Sequence, residues 1–377
     1  MIIGFDAKRA FHNSRGLGNY SRDLISGLSK YYPESEYFLY TPPLKDLQMK
    51  KWVEGYDNLN LVSPDDFLNK KISSLWRTFN LSKEIKKKGL DIYHGLSHEL
   101  PLGIENTGVK SVVTIHDLIF IRYPEYFPYI DRKIYLKKFT HSCKYADKVV
   151  AICEQTKSDL IEFLGIRKDK VEVIYQTCSP RFYTLLDQEK IIRTLSGYEI
   201  SGRYILNVGA LEQRKNALSL VKAFARLKKE ISHNLILIGN GKSYRVEIEN
   251  YIKSKNLESR VFILDNVSHR DLPAFYQGAD LFCYPSHFEG FGIPIIESLF
   301  SKTPVITSKG SCFPEAGGPK TEYIDSQSVE ELASKIVEVL TDKDKSYQMM
   351  EEGRNFVEKF HRSKTSENMM SLYKSLV

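Results

Sequence analysis

The fold is decided by the stretch Tyr284-Pro-Ser-His-Phe-Glu-Gly-Phe-Gly-Ile-Pro-Ile-Ile-Glu-Ser298. An apolar run, Leu281–Tyr284, leads into it and predicts a buried strand, and the two glycines that follow indicate a loop. Pro294 suits the first position of a helix, because the N–H that proline lacks would have no helical partner there. The stretch therefore predicts a strand, a loop and a helix whose exposed N–H groups attract anions.

The same alternation of short apolar runs and amphipathic segments fills both halves of the chain and is typical of parallel sheets covered by helices. In the first half the predicted strands are Ile2–Asp6, Tyr37–Tyr40, Leu59–Val62, Asp91–His94, Ser111–Ile115, Lys148–Ile152 and Val171–Ile174. In the second half they are Tyr204–Val208, Leu235–Ile238, Val261–Leu264, Leu281–Tyr284 and Val305–Thr307. Charged amphipathic segments follow from Val329 to Val377. The pattern predicts an α/β protein with two doubly wound, Rossmann-like domains.

The length of 377 residues is too great for one hydrophobic core, because single cores stop growing at about 250–300 residues. We expect an N-terminal Rossmann-like domain over 1–178, a linker over 179–202 and a second such domain over 203–360. The two domains are expected to enclose a cleft. A C-terminal helix over 361–377 is expected to pack back on the first domain.

Composition limits the classes of partner. The net charge of +7 is modest for a nucleic-acid-binding protein and suits an anionic membrane surface or a phosphorylated ligand equally. The five cysteines are odd in number and include no CxxC pair, so neither a disulfide framework nor a zinc site is predicted. Without a secretory leader or an apolar stretch of about 18 residues, we expect a cytoplasmic protein with at most peripheral membrane contact.

The loop after the first strand, Phe11–Asn19, carries Gly16 and Gly18 ahead of a helix predicted from about Tyr20. The two glycines either let the backbone approach a ligand closely or simply form a tight turn. A dinucleotide site is disfavoured, because Ser21 stands where a third glycine would be needed and no acidic residue follows the second strand.

Three polar side chains stand in segments that follow predicted strands, at the edge where α/β proteins bind ligands. His116 either meets ligand hydroxyls or only caps its strand. Arg214 and Lys215 precede a helix start, where the helix dipole disfavours cations. An anion between them would remove this conflict, and a diphosphate suits both side chains. The alternative is two solvated cations ahead of an N-cap at Asn216.

The loop and helix of the opening stretch carry two acidic residues, Glu289 and Glu297. Their carboxylates could accept sugar hydroxyls while N–H groups of the loop hold phosphate. Alternatively, Glu289 is a surface loop residue and Glu297 is a partner of the helix dipole.

The spacing of Glu289 and Glu297, E-x7-E within FEGFGIPIIES, closely resembles the signature of the retaining family 4 glycosyltransferases, which have the GT-B fold. The segments RGLGNYSRDL, TIHDLIF, GALEQRKN and NVSHRDLPAFYQGADLF follow in the family's order, so the resemblance covers the whole chain. Two positions depart from the family pattern. Arg15 replaces the first glycine of a Gly-Gly-x-Gly loop, and Tyr175-Gln-Thr-Cys-Ser-Pro-Arg-Phe182 replaces Asn-Gly-Val-Asp at the interdomain turn.

The resemblance implies a transferase that takes a sugar from a nucleotide sugar and retains the donor's anomeric configuration. It implies that Arg214 and Lys215 bind the donor diphosphate. It further implies that Glu289 and His116 contact the donor sugar, His116 at the reacting centre, and that Glu297 contacts the ribose and Val267 the base. Backbone N–H groups of Phe291, Gly292 and Ile293 are implied to bind sugar and phosphate, and Gly209 is implied to contact the donor. Gly16 and Gly18 are implied to face the donor phosphate or the acceptor.

The segment from His116 to Pro128 resembles the mannosyltransferase-like bacterial branch that builds surface polysaccharides. This favours GDP-mannose as the donor, leaves UDP-sugars open and implies a glycan or lipid-linked glycan acceptor. No metal or other cofactor is expected, because no DxD motif stands at a strand end and two cations can stabilise the leaving diphosphate. No nucleic-acid partner is expected.

Two basic segments, Lys83–Lys88 and Arg132–Phe139, place lysines near aromatic residues. They either rest on anionic lipid headgroups or are solvated helix faces. A dinucleotide-dependent oxidoreductase and a two-lobed sugar-binding protein are the less favoured functions. Glycoside hydrolysis is disfavoured because Glu289 and Glu297 would both flank the donor rather than bracket a glycosidic bond.

Overall fold

The computed structural model describes residues 1–13, 15–44, 46–64 and 76–377, whose contacts divide the chain into two compact units. Unit 1 comprises Met1–Thr177 and Phe360–Val377, and unit 2 comprises Cys178–Lys359. The segment 179–202, expected as a linker, lies within unit 2 and contains a helix over Gln188–Ser196. The chain therefore passes twice between the units.

Unit 1 contains a seven-stranded parallel sheet in the order β3-β2-β1-β4-β5-β6-β7. Its strands are β1 (Ile2–Asp6), β2 (Glu36–Tyr40), β3 (Leu59–Val62), β4 (Ile92–Gly95), β5 (Lys110–Ile115), β6 (Lys148–Ala151) and β7 (Val171–Val173). Each begins and ends within about one residue of its predicted bounds. The central strands are apolar on both faces, as expected for a parallel sheet that helices cover on both sides.

Unit 2 contains a six-stranded parallel sheet in the order β10-β9-β8-β11-β12-β13. Its strands are β8 (Tyr204–Val208), β9 (Asn234–Ile238), β10 (Val261–Leu264), β11 (Leu281–Tyr284), β12 (Val305–Ser308) and β13 (Glu322–Ile324). The prediction of two doubly wound, Rossmann-like halves is confirmed. Strand β13 was not predicted, because it has three residues and only Ile324 is fully buried.

The helices of the described residues are α1 (Lys8–His12), α2 (Gly16–Tyr31), α3 (Leu47–Glu54), α4 (Leu81–Lys88), α5 (Ile119–Arg122), α6 (Tyr129–Tyr145), α7 (Glu154–Leu164), α8 (Gln188–Ser196), α9 (Ala217–Leu227), α10 (Ser243–Ser254), α11 (Leu272–Gln277), α12 (Ile293–Phe300), α13 (Phe313–Gly317), α14 (Val329–Thr341), α15 (Lys343–Val357) and α16 (Arg362–Lys374). Within this part of the chain no helix is long and apolar enough to cross a bilayer.

In both sheets the strand order reverses beside the first strand of the unit, between β1 and β4 and between β8 and β11. In open parallel sheets ligands bind at such a reversal, outside the carboxyl ends of the strands. In unit 2 these carboxyl ends lead into Gly209–Asn216 and Pro285–Gly292. The topology therefore points to the two loops that carry the candidate cations and Glu289.

The last helix, α16, packs on α2 within unit 1. Its Tyr373 hydroxyl lies 2.6 Å from Nδ1 of the buried His94, and Met369 and Met370 are buried against the same core. Arg362 pairs with Asp23 of α2. The end of the chain thus completes the core that its first residues begin.

Helix α2 begins at Gly16, four residues before its predicted start, so Gly16 and Gly18 lie in its first turn and not in a loop ahead of it. The expected loop also contained Ser14, which lies outside the described residues. A Cβ on Gly18 would overlap the carbonyl oxygens of Asn13 and Arg9, whereas a Cβ on Gly16 would meet no heavy atom within 4 Å. Gly18 therefore permits the close approach of α1 and α2.

This difference predicts that substitution by alanine lowers the free energy of unfolding at Gly18 but hardly changes it at Gly16. Gly18→Ala should lower the free energy of unfolding by about 1–3 kcal/mol, because backbone atoms must move to admit the methyl group. Gly16→Ala should change it by no more than about 0.5 kcal/mol. Urea unfolding of the two variants provides the measurement, and equal stabilities would contradict this account of Gly18.

Candidate active site

The loops after β8 and β11 bring Arg214, Lys215 and Glu289 into direct contact. Nη1 of Arg214 lies 2.8 Å from one carboxylate oxygen of Glu289, and Nζ of Lys215 lies 2.8 Å from the other. The Tyr284 hydroxyl donates to Glu289 at 2.9 Å and accepts from Nζ of Lys215 at 2.7 Å. These four residues form what is called here the unit 2 cluster.

The unit 2 cluster is buried and charged. Burial opposes ionisation of Glu289, but Lys215 and Arg214 outweigh it and lower the pKa of Glu289 to about 2. Burial likewise opposes protonation of Lys215, yet Glu289 raises its pKa above the ordinary value. Burial, followed by Glu289, raises the pKa of Tyr284 to about 12. At neutral pH two cations, one anion and one neutral phenol leave one net positive charge.

The anion expected between Arg214 and Lys215 is thus supplied, in this structure, by the chain itself. Neither cation is a solvated surface group, since each side chain is only 17% exposed, and Glu289 is not a surface loop residue. Asn216 does occupy the N-cap position of α9, with a left-handed φ of 56°. Its amide nitrogen, however, donates to the carbonyls of Pro285 and Ser326 and so ties the β8 loop to the β11 loop.

Backbone contacts hold the β11 loop in the same position. Nη1 of Arg214 donates to the carbonyl of Phe288 at 2.5 Å, and the N–H of His287 donates to the carbonyl of Arg214 at 2.8 Å. Sγ of Cys312 donates to the carbonyl of Glu289 at 3.2 Å. The charged groups are therefore fixed before any ligand arrives, which is the arrangement that electrostatic stabilisation requires.

The remaining residues predicted for the donor follow the carboxyl ends of β8, β10 and β11: Gly209, Val267, Phe291, Gly292, Ile293 and Glu297. Gly292 is the N-cap of α12 with a φ of 99°, a conformation that favours glycine. Glu297, on α12, accepts a 2.9 Å hydrogen bond from the hydroxyl of the fully buried Tyr276. Tyr276 therefore fixes the Glu297 carboxylate at this edge.

In unit 1, His116 follows β5 and is buried, with both ring nitrogens engaged. Nε2 lies 2.9 Å from the carbonyl of Leu96, and Nδ1 lies 2.8 Å from the amide nitrogen of Gln176. The ring packs against Tyr20 of α2 in a T-shaped contact, with centroids 4.6 Å apart. His116 is therefore the centre of a polar cluster and not a strand cap, and Asp117 accepts the N–H of Ile119 instead.

Sequence reasoning did not identify Tyr284, Tyr276, Gln176, His94 or His98 as members of these sites. His98 accepts the backbone N–H of His116 at 3.4 Å, and Nε2 of His94 lies 2.8 Å from the Thr114 hydroxyl. The position of His94 near the end of a predicted strand, like that of His116, could have indicated it. Gln176 carried no such signal.

Across the described residues, no three His, Cys, Asp or Glu side chains converge in a way that could hold a metal ion. Unit 2 presents fixed cations and carboxylates beside helix N–H groups.

Comparison with known proteins identifies the family. Residues 14–179 match the profile of "Glycosyltransferase Family 4", and residues 196–356 match that of "Glycosyl transferases group 1". Together the two profiles match most of the chain. The chain belongs to the family 4 glycosyltransferases. The resemblance drawn from E-x7-E is thus confirmed, as is the GT-B fold class.

Curated relatives of this glycosyltransferase include two bacterial proteins. The O-antigen chain mannosyltransferase B of Escherichia coli is 29% identical over 255 residues, which cover 67% of this chain and 65% of that protein. The O-antigen chain mannosyltransferase RfbU of Salmonella typhimurium is 28% identical over 254 residues, which cover 65% of this chain and 64% of that protein. The match thus spans slightly less than two thirds of either relative's length.

Solved structures share the fold of this glycosyltransferase. A glycosyltransferase from Rickettsia africae superposes with a TM-score of 0.77 at 19% identity, over 100% of this chain and 98% of that one. HepE of Anabaena, in complex with UDP and glucose, superposes with a TM-score of 0.75 at 18% identity, over 99% of each chain. At such identities the likeness shows the fold alone.

The buried histidines predict that unit 1 loses stability on mild acidification. Burial, which disfavours the imidazolium form, lowers the pKa of His94 to about 3 and that of His116 to about 4, and it places the pKa of His98 well below its ordinary value. The unfolded chain therefore binds more protons than the folded chain below about pH 6.5, and stability falls from there towards about pH 4.

Between pH 7.5 and 5.5 each of these histidines should remove about 1.4 kcal/mol from the free energy of unfolding. Hydrogen exchange of the amides in β4 and β5, corrected for the intrinsic effect of pH on exchange, measures this loss. The urea-unfolded chain supplies the reference titration. Opening free energies that stay equal at the two pH values would contradict the assignment of neutral histidines.

Proposed function

We propose that this family 4 glycosyltransferase transfers a hexose, with mannose favoured, from a nucleotide sugar to a glycan or lipid-linked glycan acceptor. The anomeric configuration is retained, and the product belongs to a surface polysaccharide. The unit 2 cluster carries the proposal, because it places two fixed cations at the strand reversal where ligands bind. The names of the two bacterial relatives support mannose and therefore GDP-mannose, with a UDP-sugar as the second candidate.

In the proposed reaction the bond between the sugar and the diphosphate breaks, and negative charge develops on the leaving diphosphate. Arg214 and Lys215 stabilise this charge from positions fixed by Glu289, Tyr284 and the Phe288 carbonyl. Such groups need no reorganisation at the moment of reaction, which makes them effective. No metal or other cofactor is proposed, because the cluster supplies the positive charge itself.

Glu289 has two roles in this proposal. Without a ligand it is the counter-ion of both cations. When the diphosphate binds, the phosphate oxygens compete for Arg214 and Lys215, and the carboxylate becomes an acceptor for hydroxyls of the sugar.

Other residues take the roles that the family resemblance implies. Glu297, held by Tyr276, accepts hydroxyls of the ribose. Val267 contacts the base, and His116 contacts the donor sugar. The backbone of Gly209, Phe291, Gly292 and Ile293 contacts the donor. Gly16 and Gly18 contact the donor phosphate or the acceptor.

Glu289→Gln tests the two roles. Removing the carboxylate leaves two net positive charges in the cluster, so the affinity for GDP should stay the same or rise. The rate of transfer should fall at least about 100-fold, as when one preorganised group that stabilises the transition state is lost. Calorimetric titration with GDP and turnover with GDP-mannose give the two numbers, and retained GDP binding shows that the variant is folded.

Glu322→Gln is the matched control. Glu322 also pairs with two lysines, Lys335 and Lys345, but it lies on β13 outside the cluster. This control should leave both the affinity for GDP and the rate of transfer unchanged. Equal losses of rate and GDP affinity in Glu289→Gln would contradict the role of Glu289 at the sugar.

A panel of ligands separates the alternatives for the donor. A ligand at about 100 times its dissociation constant adds about 2.7 kcal/mol of stability, which thermal unfolding detects. We expect a shift with GDP-mannose or GDP, followed by turnover with that sugar. A rise in unfolding temperature with UDP-sugars alone would identify a UDP-sugar as the donor. A rise with NAD alone would overturn the proposed activity.

We also propose a cytoplasmic enzyme whose unit 1 rests on an anionic membrane surface through α6. Tyr129, Ile130 and Ile134 are 60%, 70% and 46% exposed on this helix, although they are apolar. Arg132 and Lys133 lie over the Tyr129 ring, at 5.5 and 4.7 Å from its centroid. Apolar side chains flanked by cations suit the boundary between headgroups and acyl chains. The basic end of α4, Lys86–Lys88, is a second candidate contact.

The double variant Ile130→Ser, Ile134→Ser should reduce co-sedimentation with vesicles of anionic phosphatidylglycerol at least about fivefold, because about 0.8 kcal/mol is lost for each buried CH₂. Ile192→Ser is the control, since Ile192 is 56% exposed on α8 of unit 2. Failure of the unsubstituted protein to bind anionic vesicles at low salt would defeat the membrane proposal.

A further inference from the structure

Gln176 lies on the segment that leads out of unit 1, one residue before its boundary at Thr177. Its side chain is buried, and its amide nitrogen lies 2.8 Å from Nδ1 of His116. This contact falls within the stretch from Tyr175 to Phe182 that departs from the family pattern, so the resemblance assigns no role to Gln176.

The chemistry of the two contacts fixes the state of the His116 ring. The Leu96 carbonyl can only accept a hydrogen bond, so Nε2 of His116 must carry the proton. In a neutral imidazole Nδ1 then has a lone pair, which accepts from the Gln176 amide. One contact comes from the loop after β4 and the other from the exit segment, and together they define both the orientation and the tautomer of the ring.

Burial of the His116 ring favours its neutral form. Tyr20 of α2 and His98 from the loop after β4 pack against the ring, with centroids 4.6 and 5.1 Å away. His94 on β4 interacts electrostatically with His116, and Arg9 on α1 acts on His98. Tyr20, His98, His94 and Arg9 supply no negative charge, and the carboxylate of the adjacent Asp117 accepts the N–H of Ile119.

We propose that Gln176 is a positioning residue that, together with the Leu96 carbonyl, holds the neutral Nε2–H form of His116 in one orientation for the transfer reaction. The inference rests on the proposed role of His116 at the donor sugar. Gln176 itself touches neither donor nor acceptor in this proposal and acts only through the ring.

The test compares two substitutions of similar size. Gln176→Glu replaces the donor with a carboxylate, which favours a proton on Nδ1 and so a charged His116 at neutral pH. Gln176→Met fills the same space and leaves Nδ1 without a donor. Gln188→Glu, at the exposed first residue of α8, is the matched control for the added charge.

The first readout is the imidazole ¹⁵N spectrum of His116, assigned by its loss in His116→Asn. We expect an unprotonated, hydrogen-bonded Nδ1 in the unsubstituted protein and a protonated Nδ1 at pH 7 in Gln176→Glu. In Gln176→Met we expect an unprotonated Nδ1 whose resonance moves away from its hydrogen-bonded position, and an unmoved resonance would overturn the role of Gln176. A spectrum of Gln176→Glu identical to that of the unsubstituted protein would overturn the contact. This readout needs no turnover, so it holds even where the proposed donor proves wrong.

The second readout is transfer from GDP-mannose. We expect Gln176→Glu to lower kcat at least about tenfold, as misplacement of a functional group does, with KM for the donor changed less than about threefold. Its rate should recover as rising pH removes the added proton, whereas Gln188→Glu should match the unsubstituted protein. An unchanged rate in Gln176→Glu with a protonated His116 would overturn the positioning role.

Discussion

Both units depend on the reversal of strand order beside their first strand. Neighbouring strands of a parallel sheet are joined by crossovers, and crossovers that leave on opposite faces separate the loops at that point and open a crevice. In unit 2 the reversal lies between β8 and β11, and the loops that diverge there meet again through side chains and through the hydrogen bond from the His287 N–H to the Arg214 carbonyl. Arg214 and Lys215 come from one loop and Glu289 from the other, so the cluster spans the gap that the topology creates.

The cluster is better suited to prepare a site than to stabilise a fold. Removing charges from water is costly, and a buried ion pair recovers little more than this cost even in good geometry. The arrangement provides a pair of ionised cations in fixed positions. A mobile arginine and lysine on the surface would first have to be ordered by the ligand. The contacts of Asn216, Phe288 and Cys312 serve the same end, since they fix the backbone around the charges.

The sequence predicted much of the fold because buried parallel strands are apolar along their whole length. β13 was missed because two of its three residues are only half-buried, and the start of α2 was misplaced because Gly16 and Gly18 were interpreted as loop residues. Gly18 is required by its close contact with α1, and the local sequence pattern does not predict this contact. Tyr284 and Gln176 were missed for a similar reason, since their partners Lys215 and His116 lie 69 and 60 residues away in the chain. The three charged residues of the cluster were predicted as donor-site residues because their loops follow strands whose carboxyl ends share one edge of the sheet.

The return of α16 to unit 1 also bears on the order of folding during synthesis. His94 and Tyr373 are 279 residues apart, and the whole of unit 2 lies between them. A ribosome that adds about 5–20 residues per second delivers Tyr373 at least about 14 s after His94. During that interval unit 2 can close its own core, whereas the α2 surface that receives Met369 and Met370 stays uncovered in the nascent chain. Unit 1 therefore begins first and is completed last.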